Sequence, residues 1–231
     1  MKVYFPFFCL FFLLVSCTDE DRDPSEEVSL PGSLYQNFQV WGEEGREEVT
    51  IRLQFHEGNR NGDAIALENS GSVYLNDTPL PADSTKFNGV FYEISLPVAD
   101  FTGSHTIRFT GPDGKKYREE FSFAPFYLAK EIPAEIKPKP FDLELQNFGK
   151  GSEFVRLVMI DTAMVTDDVN EDVLVEEGRI SITEEYLANL AAGPIYLEIY
   201  REQEELVRNG ARGGGKLVIT YALKRQFNLL P

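Results

Sequence analysis

The chain reads as an all-β protein made of two successive β-sandwich halves, and three observations predict this. Apolar and polar residues alternate with period two in many short runs. Gly, Pro, Asn and Asp punctuate those runs. Only one stretch carries the signals of a helix. Period two puts one face of a strand in the core and the other in water.

In the first half, Val49, Ile51, Leu53 and Phe55 alternate with Thr50, Arg52, Gln54 and His56. Val73-Tyr74-Leu75 leads into Asn76-Asp77, Pro79 and Pro81, a turn signal. Gly89 to Leu96 is a further strand. Ile107 and Phe109 flank Arg108, and Gly111-Pro112-Asp113-Gly114 closes a hairpin onto Tyr117 to Phe123. Six or seven short strands within roughly 95 residues suit a sandwich. Pro125, Pro133, Pro138 and Pro140 then predict a stiff linker, because proline fixes φ and cannot donate to a ladder.

The second half repeats the alternation. Phe141, Leu143 and Leu145 open it, and Phe154 to Ile160, apolar on both faces except at Arg156, reads as a central strand. Ile180 and Ile182 begin another. Thr183 caps a short helix that stops at Gly193-Pro194. Ile195, Leu197 and Ile199, then Leu217, Ile219 and Tyr221, form the last two strands, joined through Asn209-Gly210 and Gly213-Gly214-Gly215. The segmentation expected is 1–16 signal peptide, 17–29 tether, 30–128 first sandwich, 129–139 linker and 140–231 second sandwich. Strand spacing, the Gly-Pro-Asp-Gly hairpin and a final strand near the C-terminus resemble tandem immunoglobulin-like domains of bacterial surface lipoproteins. The Cys…Trp…Cys framework of antibody-type domains is absent, so the resemblance implies architecture and no specific activity.

The first residues give an address. Lys2 precedes an apolar run, Val3 to Val15, too short for the about 20 residues that span a bilayer core. This is the pattern of a secretory signal. Leu14-Val15-Ser16-Cys17 resembles the lipobox of bacterial lipoprotein precursors, which implies that Cys17 is acylated and becomes the first mature residue. Residues 18–27 carry six acids and one base without apolar periodicity and read as an extended tether. Acids directly behind the cysteine also resemble the export signal of Bacteroidetes-type surface lipoproteins, which implies an outer-membrane, surface-facing location. Cys9 leaves with the signal, so neither a disulfide nor a cysteine-based metal or nucleophile site is expected in the mature chain.

The formal net charge is −16. Such a surface repels phosphate backbones and anionic headgroups, so nucleic acid is not an expected partner and membrane contact should come from the lipid alone. No cofactor is expected. The expected partners are the membrane, through Cys17, and an envelope protein or a glycan.

Candidate chemistry is sparse. His56 and His105 have no acid partner or nucleophile motif and read as exposed strand residues. Asp168, Asn170 and Asp172 have the first ligand spacings of a calcium loop, but Val173 and Arg179 stand where a Gly and a bidentate Glu are needed. What remains is a loose calcium site or a solvated acidic loop. Arg212-Gly213-Gly214-Gly215-Lys216 lacks phosphate-loop spacing and reads as a hairpin loop. Trp41, the sole Trp, and Tyr35 share the polar phase of an early strand. They either stack on a ligand or cover a sandwich edge. Asp83-Ser84-Thr85 and Asp161-Thr162-Ala163 resemble a short O-glycosylation motif of Bacteroidetes secreted proteins. Ser84 is expected in a turn, and Thr162 at the end of a buried strand. These features point to a non-catalytic interaction or structural lipoprotein of the cell envelope, with a glycan-binding accessory protein as the alternative.

Overall fold

The computed structural model describes residues 33–67, 73–149, 151–163 and 166–231. The signal segment, Cys17 and the acidic tether lie outside them. The first half contains β1 (Leu34–Glu43), β2 (Glu48–Glu57), β3 (Val73–Leu75), β4 (Thr78–Pro79), β5 (Ala82–Thr85), β6 (Gly89–Pro97), a single turn of helix α1 (Val98–Phe101), β7 (Gly103–Thr110) and β8 (Lys116–Phe123). One layer runs β5-β6-β2-β1 and the other β4-β3-β7-β8. First and second strands with the central hairpin in one sheet, and the remaining strands opposite, is the order of an immunoglobulin-like sandwich. The alternation explains the packing. Phe38 and Phe55 turn inward and meet Phe109 of the facing sheet at 6.3 and 4.9 Å between ring centroids.

The second half adds β9 (Tyr127–Leu128), β10 (Glu135–Ile136), β11 (Phe141–Gln146), β12 (Ser152–Asp161), β13 (Val169–Glu176), β14 (Arg179–Ile182), the helix α2 (Glu184–Ala188), β15 (Gly193–Leu206) and β16 (Gly215–Leu229). Here one sheet, β16-β15-β12-β13-β14-β11-β9, folds over its own core. Its two ends are bridged within one short segment, since β9 pairs with β11 and β10 pairs with β16. Thr183 caps α2 by accepting a hydrogen bond from the Tyr186 amide at 3.3 Å. The helix stops at Ala188, short of the expected Gly193.

The two halves share a sheet. Residues 215–222 of β16 lie parallel to β1, from Gln36 opposite Gly215 to Glu43 opposite Ala222. The same strand continues along β15 to Leu229 and meets β10 there. Leu217, Ile219 and Tyr221 are buried, and Tyr221 packs edge-on against Phe123 and Phe126. Burying a side chain of this size contributes about 1.5–3 kcal/mol. β15 and β16 are therefore longer than the alternation alone suggested, 14 and 15 residues: β16 is core for both halves, and β15 stays paired with it out to Leu206. Buried side chains of both halves form one continuous cluster.

Polar pins hold this hairpin on the first half. The Gln36 side-chain oxygen accepts from the Ala211 amide at 3.1 Å. The buried Glu119 carboxylate accepts from the amides of Arg208 and Asn209 at 3.3 and 3.1 Å. The proline-rich segment is likewise fastened rather than free. Asn228 donates to the Ala134 carbonyl and Leu230 to the Ile136 carbonyl, both at 2.8 Å.

Candidate functional site: an aromatic patch around Trp41

Strand β1 sends Leu34, Gln36, Phe38 and Val40 inward, so Tyr35, Asn37, Gln39 and Trp41 line the outer face of the shared sheet. Trp41 pairs with Thr50 on one side and Thr220 on the other. The Arg52 guanidinium lies 5.4 Å over its indole and 4.7 Å over Phe91, while Arg52 Nε donates to Glu93 Oε2 at 2.6 Å. This clamp orients the indole, and a cation–π contact at such a site contributes about 0.5–1 kcal/mol. Trp41 is 37 % exposed and walls a surface hollow of about 610 Å³, with Glu43, Glu48, Thr50 and Thr220 along its sides. The hollow thus offers one aromatic wall among carboxylates, hydroxyls and the Arg46 guanidinium.

Neighbouring charges are paired. Lys224 donates to Glu43 at 2.7 Å and lies 3.5 Å from Glu198. Its ammonium is held above the usual lysine value, chiefly by the hydrogen bond to Glu43. Burial, reinforced by Glu198, pushes the Tyr196 phenol up. Both groups are thereby fixed in the forms they already have at neutral pH, so they serve hydrogen bonding rather than proton transfer.

The structure does not bring Tyr35 to Trp41. They lie six residue steps apart along β1, about 20 Å, and Tyr35 packs edge-on to His56 at 6.4 Å instead. Two residues that the alternation did not single out lie in Trp41's row. Arg156 pairs with Tyr200, so Phe154 falls opposite Glu202, which pairs with Thr220 and hence with Trp41. Phe154 pairs with Leu174, and the two are 62 % and 40 % exposed. The only sequence signal was a Phe on the outward phase of β12.

Asn170 and Asp172 do not lie in the expected acidic loop but on a strand, β13, and Asp168 directly precedes it. β13 is extended there, so the two side chains share its outer face instead of curling around a loop. Their oxygens face Arg156, whose Nε sits 3.0 Å from Asp172 and whose Nη1 sits 3.3 Å from Asn170. Among the described residues no group of three or more His, Cys, Asp or Glu could hold a metal ion.

His105 is buried, which corrects its reading as an exposed strand residue. It stacks on Phe101 at 3.8 Å, its Nε2 bonds the Phe101 carbonyl at 2.6 Å, and Asn76 sits 3.1 Å from Nδ1. His56 is half-buried, with Nδ1 2.9 Å from the Gly62 carbonyl. Ser84 is exposed but lies on the edge strand β5 rather than in a turn. Thr162 is exposed, contrary to its expected burial. Its neighbour Asp161 is the buried one and accepts from the Thr166 amide at 3.2 Å. Arg212, Gly213 and Gly214 lie in the expected loop between the last two strands, whereas Gly215 and Lys216 already belong to β16. Among the described residues no helix is long and apolar enough to cross a membrane.

No known family matches the chain, and no curated protein matches it. Among solved structures, murine CEACAM1b overlaps 84 % of this chain and 100 % of its own at 14 % identity, with a TM-score of 0.21. DIP-gamma IG1+IG2 overlaps 82 % of this chain and 94 % of its own at 8 % identity, with a TM-score of 0.20. A complex of Dpr11 IG1 with DIP-gamma IG+IG2 overlaps 81 % and 96 % at 9 % identity, with the same TM-score of 0.20. Overlaps at that level carry no functional information.

Proposed function

We propose that this protein is a lipid-anchored, non-catalytic interaction module of the bacterial cell envelope, carried on the outer membrane by Cys17, and that the sheet face around Trp41 contacts its partner. The observation that carries the reading is the Trp41 patch: an indole clamped by Arg52, still exposed, on a face that continues to Phe154 and Leu174. Exposed aromatics held rigidly give large contact area at little entropic cost, as binding hot spots require. The lipobox-like Leu14-Val15-Ser16-Cys17 supports the anchor.

Two comparisons test this. Crosslinking in intact cells should capture an envelope protein with the wild type and lose it with Trp41→Ala; equal capture by both removes the patch from the reading. Cys17→Ala should move the protein into the soluble fraction, and continued membrane retention would sink the anchor. A second reading, a glycan-binding accessory lipoprotein, is supported by the hollow itself, where an aromatic wall sits among Glu43, Glu48, Thr50 and Thr220. In that case a glycan array binds the wild type and not Trp41→Ala.

A further inference from the structure

The hollow beside Trp41 opens onto one side of the indole. Along the outer face of β2 the side chains run Glu48, Thr50, Arg52, and Trp41 stands beside Thr50. Arg52 lies over the indole at 5.4 Å but does not line the hollow. The guanidinium therefore covers one side of the ring, and the hollow lies on the other, toward Glu48. Glu93 answers the charge of Arg52 at 2.6 Å, so the open side of the ring can take a second cation. From β16 only the small side chains Thr220 and Ala222 line the hollow, which leaves the ring accessible.

Charge around the hollow is unbalanced. Glu43, Glu47 and Glu48 line it with a single cation, Arg46, which sits 3.5 Å from Glu43. The cations that border it are already matched. Lys224 pairs with Glu43 and Glu198, and Arg225 with Glu44 and Glu131. Farther along the same face Lys216 pairs with Glu204, and Arg156 with Asp172. Glu202, opposite Thr220, adds one more carboxylate to Trp41's row. Among the described residues Glu47, Glu48 and Glu202 have no ion pair. The surplus of carboxylate thus survives when every bordering cation is counted.

We infer that this hollow receives a basic side chain of the protein partner, stacked on the open side of Trp41 and neutralised by Glu47 and Glu48. The inference rests on the reading of the Trp41 face as the contact surface and adds the chemistry of what it contacts. A cation over an indole is attracted by the negative face of the ring. Arginine fits best, because its planar guanidinium stacks on the ring while its N–H fork donates to a carboxylate. A chain of formal net charge −16 attracts cationic partners from a distance. The indole and the two unpaired carboxylates give that attraction one place to settle.

The test titrates a fluorescein-labelled tetra-arginine peptide with the chain from Cys17 to Pro231, carrying Cys17→Ala, and reads fluorescence anisotropy. Binding is expected to weaken about threefold in Trp41→Leu and about fivefold in the double variant Glu47→Gln, Glu48→Gln. The double variant Glu57→Gln, Glu144→Gln removes the same charge from exposed positions away from the hollow and should bind as the wild type does. Circular dichroism verifies that each variant keeps its fold. Equal losses in the two double variants overturn the inference, because the peptide then reads net charge alone. Unchanged binding by Trp41→Leu overturns it as well. So does the absence of peptide binding alongside Trp41-dependent capture on a glycan array, which hands the hollow to a neutral ligand. Failure of the underlying reading shows separately, as equal crosslinking in cells by wild type and Trp41→Ala.

Discussion

Arg225 grips Glu131 with two parallel hydrogen bonds, Nε to Oε2 at 2.7 Å and Nη2 to Oε1 at 2.9 Å. The remaining edge of the guanidinium donates to Glu44 at 2.6 Å. One side chain on β16 thus ties the β1–β2 turn of the first half to the proline-rich segment.

Arg225→Ala should cost about 1–3 kcal/mol in urea unfolding, because it strands the largely covered Glu44 carboxylate. Glu131→Gln should cost less than about 1 kcal/mol, since Glu131 is mostly exposed and screened. The hydrogen bond from Arg225 holds the Glu131 carboxyl below its ordinary value of 4.5. A lowered folded-state value stabilises the protein above the unfolded value, and that stabilisation disappears as pH falls through the folded value. The difference between wild type and Glu131→Gln should therefore be full at neutral pH and shrink as pH falls below the ordinary value of 4.5 and through the lower folded-state value. A pH-independent difference would break the assignment.

Gly215→Ala should destabilise the whole protein by about 1–3 kcal/mol, as overpacking does. A Cβ there would lie 2.6 Å from the Gln36 carbonyl oxygen, so β16 could no longer approach β1. Thermal unfolding with one transition, shifted downward, is the expected record. An unchanged midpoint would mean that the parallel β1–β16 pairing bears no part of the stability.

Arg52→Met should release Trp41 without unfolding the chain. Because Trp41 is the sole Trp, intrinsic fluorescence reports on it directly. Emission should shift to the red, with a stability loss of about 1 kcal/mol from the cation–π contact and the Glu93 ion pair. Unaltered emission would show that Arg52 does not hold the indole.

Calcium should leave the melting temperature unchanged, and so should chelation. A ligand that binds only the folded state raises stability by mass action, and the oxygens of Asn170 and Asp172 already face Arg156. A calcium-dependent rise would overturn that account. Arg156→Ala, which frees the two side chains, is the control.

What the sequence revealed follows from which interactions are local. The alternation at Val49–Phe55 or Ile195–Ile199 identifies strands because burial on one face is written into every second residue. The Thr183 cap was readable for the same reason. The Trp41–Phe154 row was not, since it depends on register across β16, β15 and β12, and β1 and β16 meet only in three dimensions. Residues 169–172 read as an acidic loop because their acidic run hides the alternation that places them on β13. His105 misled because its partners, the buried Phe101 and the Asn76 side chain, lie on other elements.

The placement of β16 has a consequence in time. Gln36 waits for Gly215, 179 positions downstream, before β1 gains its second neighbour. Pairings so distant in sequence form late. A chain threaded N-terminus first must hold its opening strand open until nearly all of it has emerged. A truncated product would leave that edge bare, marked for aggregation or proteolysis. Completion of the first sandwich thus acts as a check that the whole chain has arrived.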